Sequence, residues 1–114
     1  MAESAVQELT DETFETEAKE KPGWCVVDFY AAWCPHCKAF RPTFEEVAGE
    51  YAGPLRFFAA DVEQCEEAAS ECSIRSIPTV VIFHDGEKVD THIGGMTRPD
   101  LAAWLEEKAA EGRL

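Results

Sequence analysis

Cys34 and Cys37 are the residues whose spacing most directly suggests chemistry. They lie in the sequence WCPHCK at positions 33–38, with two residues between them. A thiolate at Cys34 can attack a disulfide in another molecule, and Cys37 is near enough to displace that molecule and close an intramolecular bond. The spacing therefore predicts dithiol–disulfide exchange, with Cys34 as the attacking sulfur and Cys37 as the resolving sulfur.

Two other uses of a Cys-x-x-Cys pair fit this sequence poorly. A structural zinc site needs four ligands in a tetrahedral array, and His36 lies on the wrong side to serve with both flanking cysteines. Cys65 and Cys72 could complete a set, but their spacing of seven resembles no usual second half of such a site. Haem attachment requires a His where Lys38 stands. We expect no metal and no bound cofactor.

The cysteine pair lies at a junction between a strand and a helix. Residues 24–30 read WCVVDFY, an apolar run typical of a strand buried on both faces. From Cys34 to about position 51 the apolar residues recur at helical spacing, so a long helix follows. Unpaired N–H groups and the positive end of the dipole at its amino end would stabilise a thiolate at Cys34.

The other elements alternate in a way that predicts an α/β fold, with a central mixed β-sheet flanked by helices on both faces. At 114 residues the chain has the length of one domain, spanning 1–114. The further predicted elements are an edge strand at 6–9, a helix capped by Thr10 or Asp11 to about 20, a strand at 55–60, a helix over 63–71 capped by Asp61, strands at 79–84 and 87–93 joined by an Asp85-Gly86 turn, and a helix from Thr97 to about 110.

Asp28 is a carboxylate within the apolar strand. If that strand is central, burial raises the pKa of Asp28, and the carboxylate can take and return the proton of Cys37. The alternative is an Asp at a solvent-facing position of the strand.

The charge balance argues against a nucleic-acid partner. The chain has 23 Asp and Glu against 10 Lys and Arg, a net charge of −13, and the resulting field repels polyanions. The acidity is typical of a solvated surface, and the alternative is docking onto a basic partner.

No apolar run of about 20 residues is present, so we expect no membrane helix. Residues 1–20 carry several acids and Lys19 as their one base, which is not typical of a secretory signal or transit peptide. A cytoplasmic location is expected.

Five cysteines are too few for a disulfide-stapled secreted domain. We expect Cys25 to be an inert core residue. Cys65 and Cys72 are expected to be free thiols, the alternative being a regulatory disulfide that would need their helix to distort. His84 and His92 are expected at strand ends on the surface, and nothing in the sequence places them near the cysteine pair.

From about position 6 to 110 the chain resembles the thioredoxin family. The matching pieces are VVDFYAAWCPHCK at 26–38, Pro42, SIPT at 76–79, FHDG at 83–86 and Gly94. The resemblance implies the thioredoxin fold and a thiol–disulfide oxidoreductase acting on disulfide-containing client proteins. It also implies re-reduction by a partner such as a flavin disulfide reductase or a small thiol.

The same resemblance implies roles for residues around the pair. Pro78 would be a cis-proline packed opposite the attacking sulfur, and Asp28 would be the buried acid. Trp33 and Gly94 would border the substrate surface. A client peptide would dock beside Ile77 through main-chain hydrogen bonds, a form of strand addition.

One departure from the family lies between the cysteines. Thioredoxins usually carry Gly-Pro there, whereas Pro35-His36 resembles the bacterial periplasmic disulfide oxidase, and protein disulfide isomerases also carry His in that second place. An imidazole at His36 stabilises the Cys34 thiolate and favours the reduced protein. We predict a potential between about −270 mV, typical of thioredoxin, and about −120 mV, typical of that oxidase, and hence a weaker reductant than ordinary thioredoxin.

Other departures concern positions 57 and 76. Phe57 stands where thioredoxins commonly place a lysine beside the buried acid, and losing that cation would raise the pKa of Asp28 further. Ser76 replaces a surface cysteine through which some animal thioredoxins dimerise, so a monomer is expected. Residues 61–77 look most like eukaryotic cytosolic thioredoxins, in which extra cysteines near this helix can take part in regulation.

A second functional hypothesis is a redox-sensitive binding subunit of a larger assembly. Its contacts would be the acidic surface and an apolar rim formed by Trp33, Ile77 and Pro78.

Overall fold

The computed structural model describes residues 4–110, so positions 1–3 and 111–114 of the expected domain lie outside the described residues. The observed order of elements, β-α-β-α-β-α-β-β-α, is the predicted one. The elements are β1 (Val6–Glu8), α1 (Asp11–Phe14) continued by a π-helical segment (Glu15–Glu20), β2 (Trp24–Tyr30), α2 (Pro35–Tyr51), β3 (Leu55–Asp61), α3 (Glu66–Glu71), β4 (Thr79–His84), β5 (Glu87–Ile93) and α4 (Arg98–Ala110).

The strands form one five-stranded sheet in the order β1-β3-β2-β4-β5. β1, β3 and β2 run parallel, while β4 is antiparallel to β2 and β5 is antiparallel to β4. β2 is therefore the central strand, which explains its nearly unbroken apolar sequence. The predicted turn joins β4 to β5, with positive φ of 53° at Asp85 and 87° at Gly86.

Each face of the sheet carries its own hydrophobic cluster. Trp24 and Val26 of β2 pack in the cluster with α2 and α4, whereas Cys25, Val27 and Phe29 pack in the cluster with α1 and α3. Because successive side chains of a strand point to opposite faces, Asp28 shares the face of Val26 and points toward α2. No helix within residues 4–110 is both long and apolar enough to cross a bilayer.

The helix predicted over 63–71 is present, but its predicted start and its predicted cap by Asp61 are wrong. α3 begins later, with Cys65 as a cap residue whose side chain makes no capping hydrogen bond. The Asp61 carboxylate accepts a hydrogen bond of 2.9 Å within the preceding turn instead. The amino end of α3 is served by Asp11 of α1, whose two oxygens accept from the backbone N–H groups of Ala68, at 2.9 Å, and Glu67, at 3.3 Å. A side chain from another helix thus satisfies donors that α3 cannot satisfy itself.

Candidate active site

Cys34 is the cap residue at the amino end of α2. Its Sγ accepts a hydrogen bond of 3.3 Å from the backbone N–H of Cys37. Pro35 occupies the first helical position, where its lack of an N–H leaves no extra donor unsatisfied. A backbone donor and the positive end of the helix dipole thus both lie at the Cys34 sulfur, and its role as the attacking thiolate stays a prediction.

Cys37 lies one helical turn later and is 3% exposed. Burial and the hydrogen bond with Cys34 raise the pKa of the Cys37 thiol to about 12. The thiol therefore holds its proton at neutral pH, and it becomes a nucleophile only if a neighbouring group accepts that proton.

Asp28 is the buried carboxyl group on the same face of the sheet. Its side chain is 0% exposed, and neither carboxyl oxygen has a hydrogen-bond partner among residues 4–110. Burial raises the pKa of Asp28 to about 7, against the opposing effect of the Arg41 guanidinium and with a further increase from Glu8. The solvent-facing alternative for Asp28 is thereby excluded, and this carboxyl group exchanges a proton most readily near neutral pH.

The residue that supplies positive charge to Asp28 is not the one that the sequence led us to consider. The strand register places Ala59, not Phe57, directly opposite Asp28. The cation comes from α2, because Nε of Arg41 lies 3.9 Å from Oδ2 of Asp28. The expectation that position 57 lies beside the buried acid is therefore wrong, and Arg41 is a cation that the sequence analysis did not consider. A signal was present, since Arg41 stands four residues after Cys37 and such residues share one side of a helix.

The loop before β4 lies against the two sulfurs. The Ile77–Pro78 peptide bond is cis, as the resemblance implies. Ile77 is half-buried and packs against the cluster that contains Cys34 and Cys37. The backbone N–H of Gly94 donates a 2.7 Å hydrogen bond to the carbonyl of Pro78, which ties the end of β5 to this loop.

A groove of about 810 Å³ extends from this loop along the surface. His36, Ile77, Pro78 and Gly94 line it at the end next to the cysteine pair. His92 lines the same groove, although neither cysteine of the pair is among its lining residues. No local pattern in the sequence indicated this, because β5 reaches the site only through its pairing with β4.

Trp33 lies on the surface beside Cys34. Its side chain is 63% exposed, and its indole N–H donates a 2.7 Å hydrogen bond to Glu63. Trp33 is not among the residues that line the groove. The structure therefore places Trp33 and Gly94 at separate parts of the site.

The other three cysteines lie away from the pair. Cys25, Cys65 and Cys72 are buried free thiols in the cluster beneath α1 and α3. Burial raises the pKa of Cys25 to about 12 and those of Cys65 and Cys72 to about 11. High thiol pKa values make all three poor nucleophiles at neutral pH. Within residues 4–110, no three His, Cys, Asp or Glu side chains are grouped closely enough to hold a metal ion.

Comparison with known proteins agrees with the geometry. The family model for thioredoxin matches residues 5–107. Thioredoxin C-2 of Corynebacterium nephridii is 38% identical over 104 residues, which cover 91% of this chain and 96% of the relative. Thioredoxin 1 of a Nostoc species is 36% identical over 104 residues, covering 91% of this chain and 97% of the relative.

The fold agrees with a solved structure as well. The crystal structure of Malassezia sympodialis thioredoxin has a TM-score of 0.84 and 31% identity, covering 96% of this chain and 95% of that one. The predicted thioredoxin fold is thereby confirmed. The particular likeness of residues 61–77 to eukaryotic cytosolic thioredoxins stays a prediction. With a cysteine pair at the start of α2, a buried acid behind it and this similarity along nearly its whole length, the chain belongs to the thioredoxin family and is a thiol–disulfide oxidoreductase.

Proposed function

We propose that the protein reduces or exchanges disulfides in client proteins, with Cys34 as nucleophile, Cys37 as resolving thiol and Asp28 as proton acceptor. The observation that carries this proposal is the 3.3 Å hydrogen bond from the Cys37 N–H to the Cys34 sulfur at the start of α2. It places the two side chains one helical turn apart, with the backbone donor directed at the sulfur that must bear negative charge.

The reaction has two exchange steps. The Cys34 thiolate attacks one sulfur of a client disulfide, forms a mixed disulfide and releases the other client sulfur as a thiolate. Cys37 then passes its proton to Asp28 and attacks the Cys34 sulfur, which closes the Cys34–Cys37 disulfide and releases the second client sulfur. The client gains two electrons and, from its surroundings, two protons, and the dithiol is oxidised.

A further cycle requires two electrons from outside the protein. Members of this family act on disulfide substrates and are reduced by a reductase, and we propose a disulfide reductase or a small thiol as the donor here. The electrons reside on sulfur throughout, so these steps need neither a metal nor a bound cofactor.

Client docking is proposed at the loop before β4. The half-buried Ile77 packs against the cysteine pair, and Pro78 and Gly94 continue the surface into the groove. An extended client segment beside Ile77 would present its disulfide to Cys34. The exposed Trp33, which does not line the groove, would border the same client.

The proposal is tested by the reduction of insulin disulfides with dithiothreitol as electron donor. Cys34→Ser should abolish the catalysed rate, and Cys37→Ser should lose multiple turnover while still forming a mixed disulfide. Cys72→Ser is the matched control, because it removes a buried thiol at the end of α3 and should retain the wild-type rate. Undiminished catalysis by Cys34→Ser would rule the proposal out.

The protein is further proposed to be more oxidising than ordinary thioredoxin. His36 is exposed on the first turn of α2, adjacent in sequence to Pro35 and two positions from Cys34, which supports an influence on the thiolate. Equilibration with glutathione mixtures should give a potential less negative than that of the double variant Pro35→Gly/His36→Pro. His84→Gln, at the end of β4, is the control and should leave the potential unchanged. Equal potentials for the wild type and the double variant would refute the proposal that Pro35 and His36 make the protein more oxidising.

The redox-sensitive binding subunit is the second candidate, favoured by the exposed indole of Trp33. Trapping by Cys37→Ser in cell extract separates the two functions. Many covalently trapped clients support the enzyme, whereas one stoichiometric partner that stays bound when both cysteines are replaced supports the subunit.

We also propose that residues 1–114 form one domain and that the protein acts as a monomer in the cytoplasm. Support comes from the single sheet covered on both faces, from Ser76 in place of a dimer-forming cysteine, and from five free thiols, which suit a reducing compartment. Sedimentation under reducing and oxidising conditions tests the oligomeric state.

A further inference from the structure

A group of charged side chains covers Asp28 on the α2 side of the sheet. Arg41 is at its centre, with Nη1 3.6 Å from a carboxylate oxygen of Glu8 and 3.6 Å from one of Glu45. The guanidinium carbon lies 4.5 Å from the centre of the Tyr30 ring, and the Tyr30 hydroxyl donates a 2.8 Å hydrogen bond to Glu8. We call these four side chains, Glu8, Tyr30, Arg41 and Glu45, the Arg41 cluster.

The Arg41 cluster holds its guanidinium in a fixed orientation. The guanidinium packs over the Tyr30 ring, and carboxylates from β1 and from α2 itself both attract its Nη1. A different nitrogen of the same group, Nε, lies 3.9 Å from Oδ2 of Asp28. The side chain of Arg41 is 26% exposed whereas that of Asp28 is wholly buried, so Arg41 brings charge from the surface to an interior carboxyl group.

Arg41 also lies beside the resolving thiol. A cavity of about 290 Å³ is lined by Arg41, Cys37 and Tyr30, among others. Arg41 therefore faces both Asp28 and the space beside the Cys37 sulfur. Asp28 is proposed to accept the proton of that sulfur.

We propose that Arg41 is a positioning residue, held by Tyr30, Glu8 and Glu45, that favours the ionised form of Asp28 and thereby sets the pH range in which Cys37 resolves the mixed disulfide. This inference rests on the proton-acceptor role of Asp28 in the proposed function. It assigns to α2 a cation that lies outside the sheet and outside the sequence WCPHCK.

The other groups around Asp28 do not supply this charge. Its register partners on β3 and β4 are Ala59 and Val80, which carry no charge. Glu8 of β1 is anionic and opposes ionisation of Asp28, and the Cys37 thiol, which holds its proton at neutral pH, supplies no positive charge. Glu45 is also anionic, and its contact is with Arg41.

The first test is a titration of the Asp28 carboxyl carbon by NMR in the reduced full-length protein. Arg41→Gln should raise the Asp28 midpoint by about one pH unit, since a neighbouring guanidinium lowers a carboxyl pKa by about one to three units. Arg41→Lys, which keeps the charge, should recover most of that shift. Arg98→Gln is the matched control, because Arg98 pairs with Glu46 and Glu50 instead and its loss changes the net charge equally.

The second test follows the rate of mixed-disulfide resolution against pH by stopped flow. Moving the Asp28 midpoint from about 7 to about 8 leaves roughly a tenth of the carboxyl ionised at neutral pH, so Arg41→Gln should resolve about fivefold more slowly there and recover at higher pH. In an Asp28→Asn background the same replacement should leave the pH profile unmoved. Persistence of the effect in that background would mean that Arg41 acts directly on Cys37, which overturns the inference.

The outcomes separate the inference from the function it rests on. An unchanged Asp28 midpoint in Arg41→Gln, with Arg41→Met as a second neutral variant should the first not fold, overturns the inference whatever the rates show. A shifted midpoint with an unshifted rate profile overturns the proton-acceptor role of Asp28 and, with it, the control of Cys37 by Arg41. Shifts in both, absent in Arg98→Gln, support the inference.

Discussion

At the scale of single residues, the site joins a thiol that holds its proton to a carboxyl group that can accept it. The pKa of Cys37 is raised to about 12 and that of Asp28 to about 7, both mainly by burial. Burial disfavours each charged form, and moving the proton from Cys37 to Asp28 leaves only one negative charge in the interior. The Cys37 thiolate can therefore form in the buried site, where bulk water does not solvate it as it would an exposed thiolate.

The raised pKa of Asp28 carries a stability prediction. Its folded value of about 7 lies above the ordinary value of 3.8, so the folded state binds the proton more tightly than the unfolded state. The stability that this group contributes is full below about pH 4 and is lost as the pH rises through about 7. Asp28→Asn should therefore match the wild type in acid and exceed its free energy of unfolding by up to about 4 kcal/mol above neutral pH.

Urea unfolding across this pH range measures the effect, and Asp90→Asn provides a control of opposite sign. Burial alone would raise the pKa of Asp90, but hydrogen bonds from the Trp104 indole and the Thr91 backbone, together with the Lys108 charge, lower it. Asp90→Asn should thus destabilise the protein at neutral pH and lose this effect in acid. A constant difference between Asp28→Asn and wild type at all pH values would contradict the assigned pKa.

At the scale of secondary-structure elements, two contacts between distant segments secure short elements near the site. Asp11 of α1 caps α3, and the Asp85-Gly86 turn packs against the end of the first helical region. Each contact involves one side chain or one close backbone approach. A single substitution, compared with a matched control variant, therefore tests each contact.

Removal of the α3 cap should lower stability. Asp11→Ala leaves the N–H groups of Glu67 and Ala68 without their acceptor, which should cost about 1 kcal/mol of unfolding free energy. Glu12→Ala removes an acid from the same first turn of α1 without touching α3, so it controls for the helix dipole. Equal losses in the two variants would show that the cap contributes nothing beyond the dipole.

Gly86 is required for a second reason besides its turn conformation. A Cβ at Gly86 would meet the backbone carbonyl of Lys19, whereas a Cβ at Gly53 would meet no atom within 4 Å. Both glycines have positive φ, so each change to Ala should cost about 1 kcal/mol from backbone conformation. Gly86→Ala should lose roughly 1 to 3 kcal/mol more from steric overlap, measured by urea unfolding. Indistinguishable losses at the two glycines would exclude this overlap.

Sequence patterns predicted those features that depend on neighbours along the chain. The apolar run of β2, the turn at Asp85-Gly86 and the position of Cys34 at the start of α2 all follow from local periodicity and turn chemistry. The cap of α3 by Asp11 and the pairing of Asp28 with Ala59 and Arg41 depend on strand register and helix docking. A register shift of two residues would place position 57 rather than position 59 opposite Asp28. No local sequence pattern determines which of the two registers forms.

At the scale of the whole molecule, the fold brings three separate segments together at one end of the central strands. The carboxyl end of β2, the amino end of α2 and the loop before β4 meet around Cys34, Cys37 and Ile77. The central position of β2 buries Asp28 behind them, and α2 supplies both the sulfurs and Arg41. The mixed sheet was predicted from the order of elements, whereas the order of strands within it depends on contacts between distant segments.

The most direct test of the central claim uses the full-length Cys37→Ser variant mixed with insulin and examined by mass spectrometry with peptide mapping. We expect one covalent insulin-chain adduct, attached to Cys34, and none in the Cys34→Ser variant. The buried thiols of Cys25, Cys65 and Cys72 should stay unmodified because their pKa values are raised to about 11 or 12. Absence of the adduct, or its attachment to another cysteine, would contradict the assignment of Cys34 as the attacking sulfur.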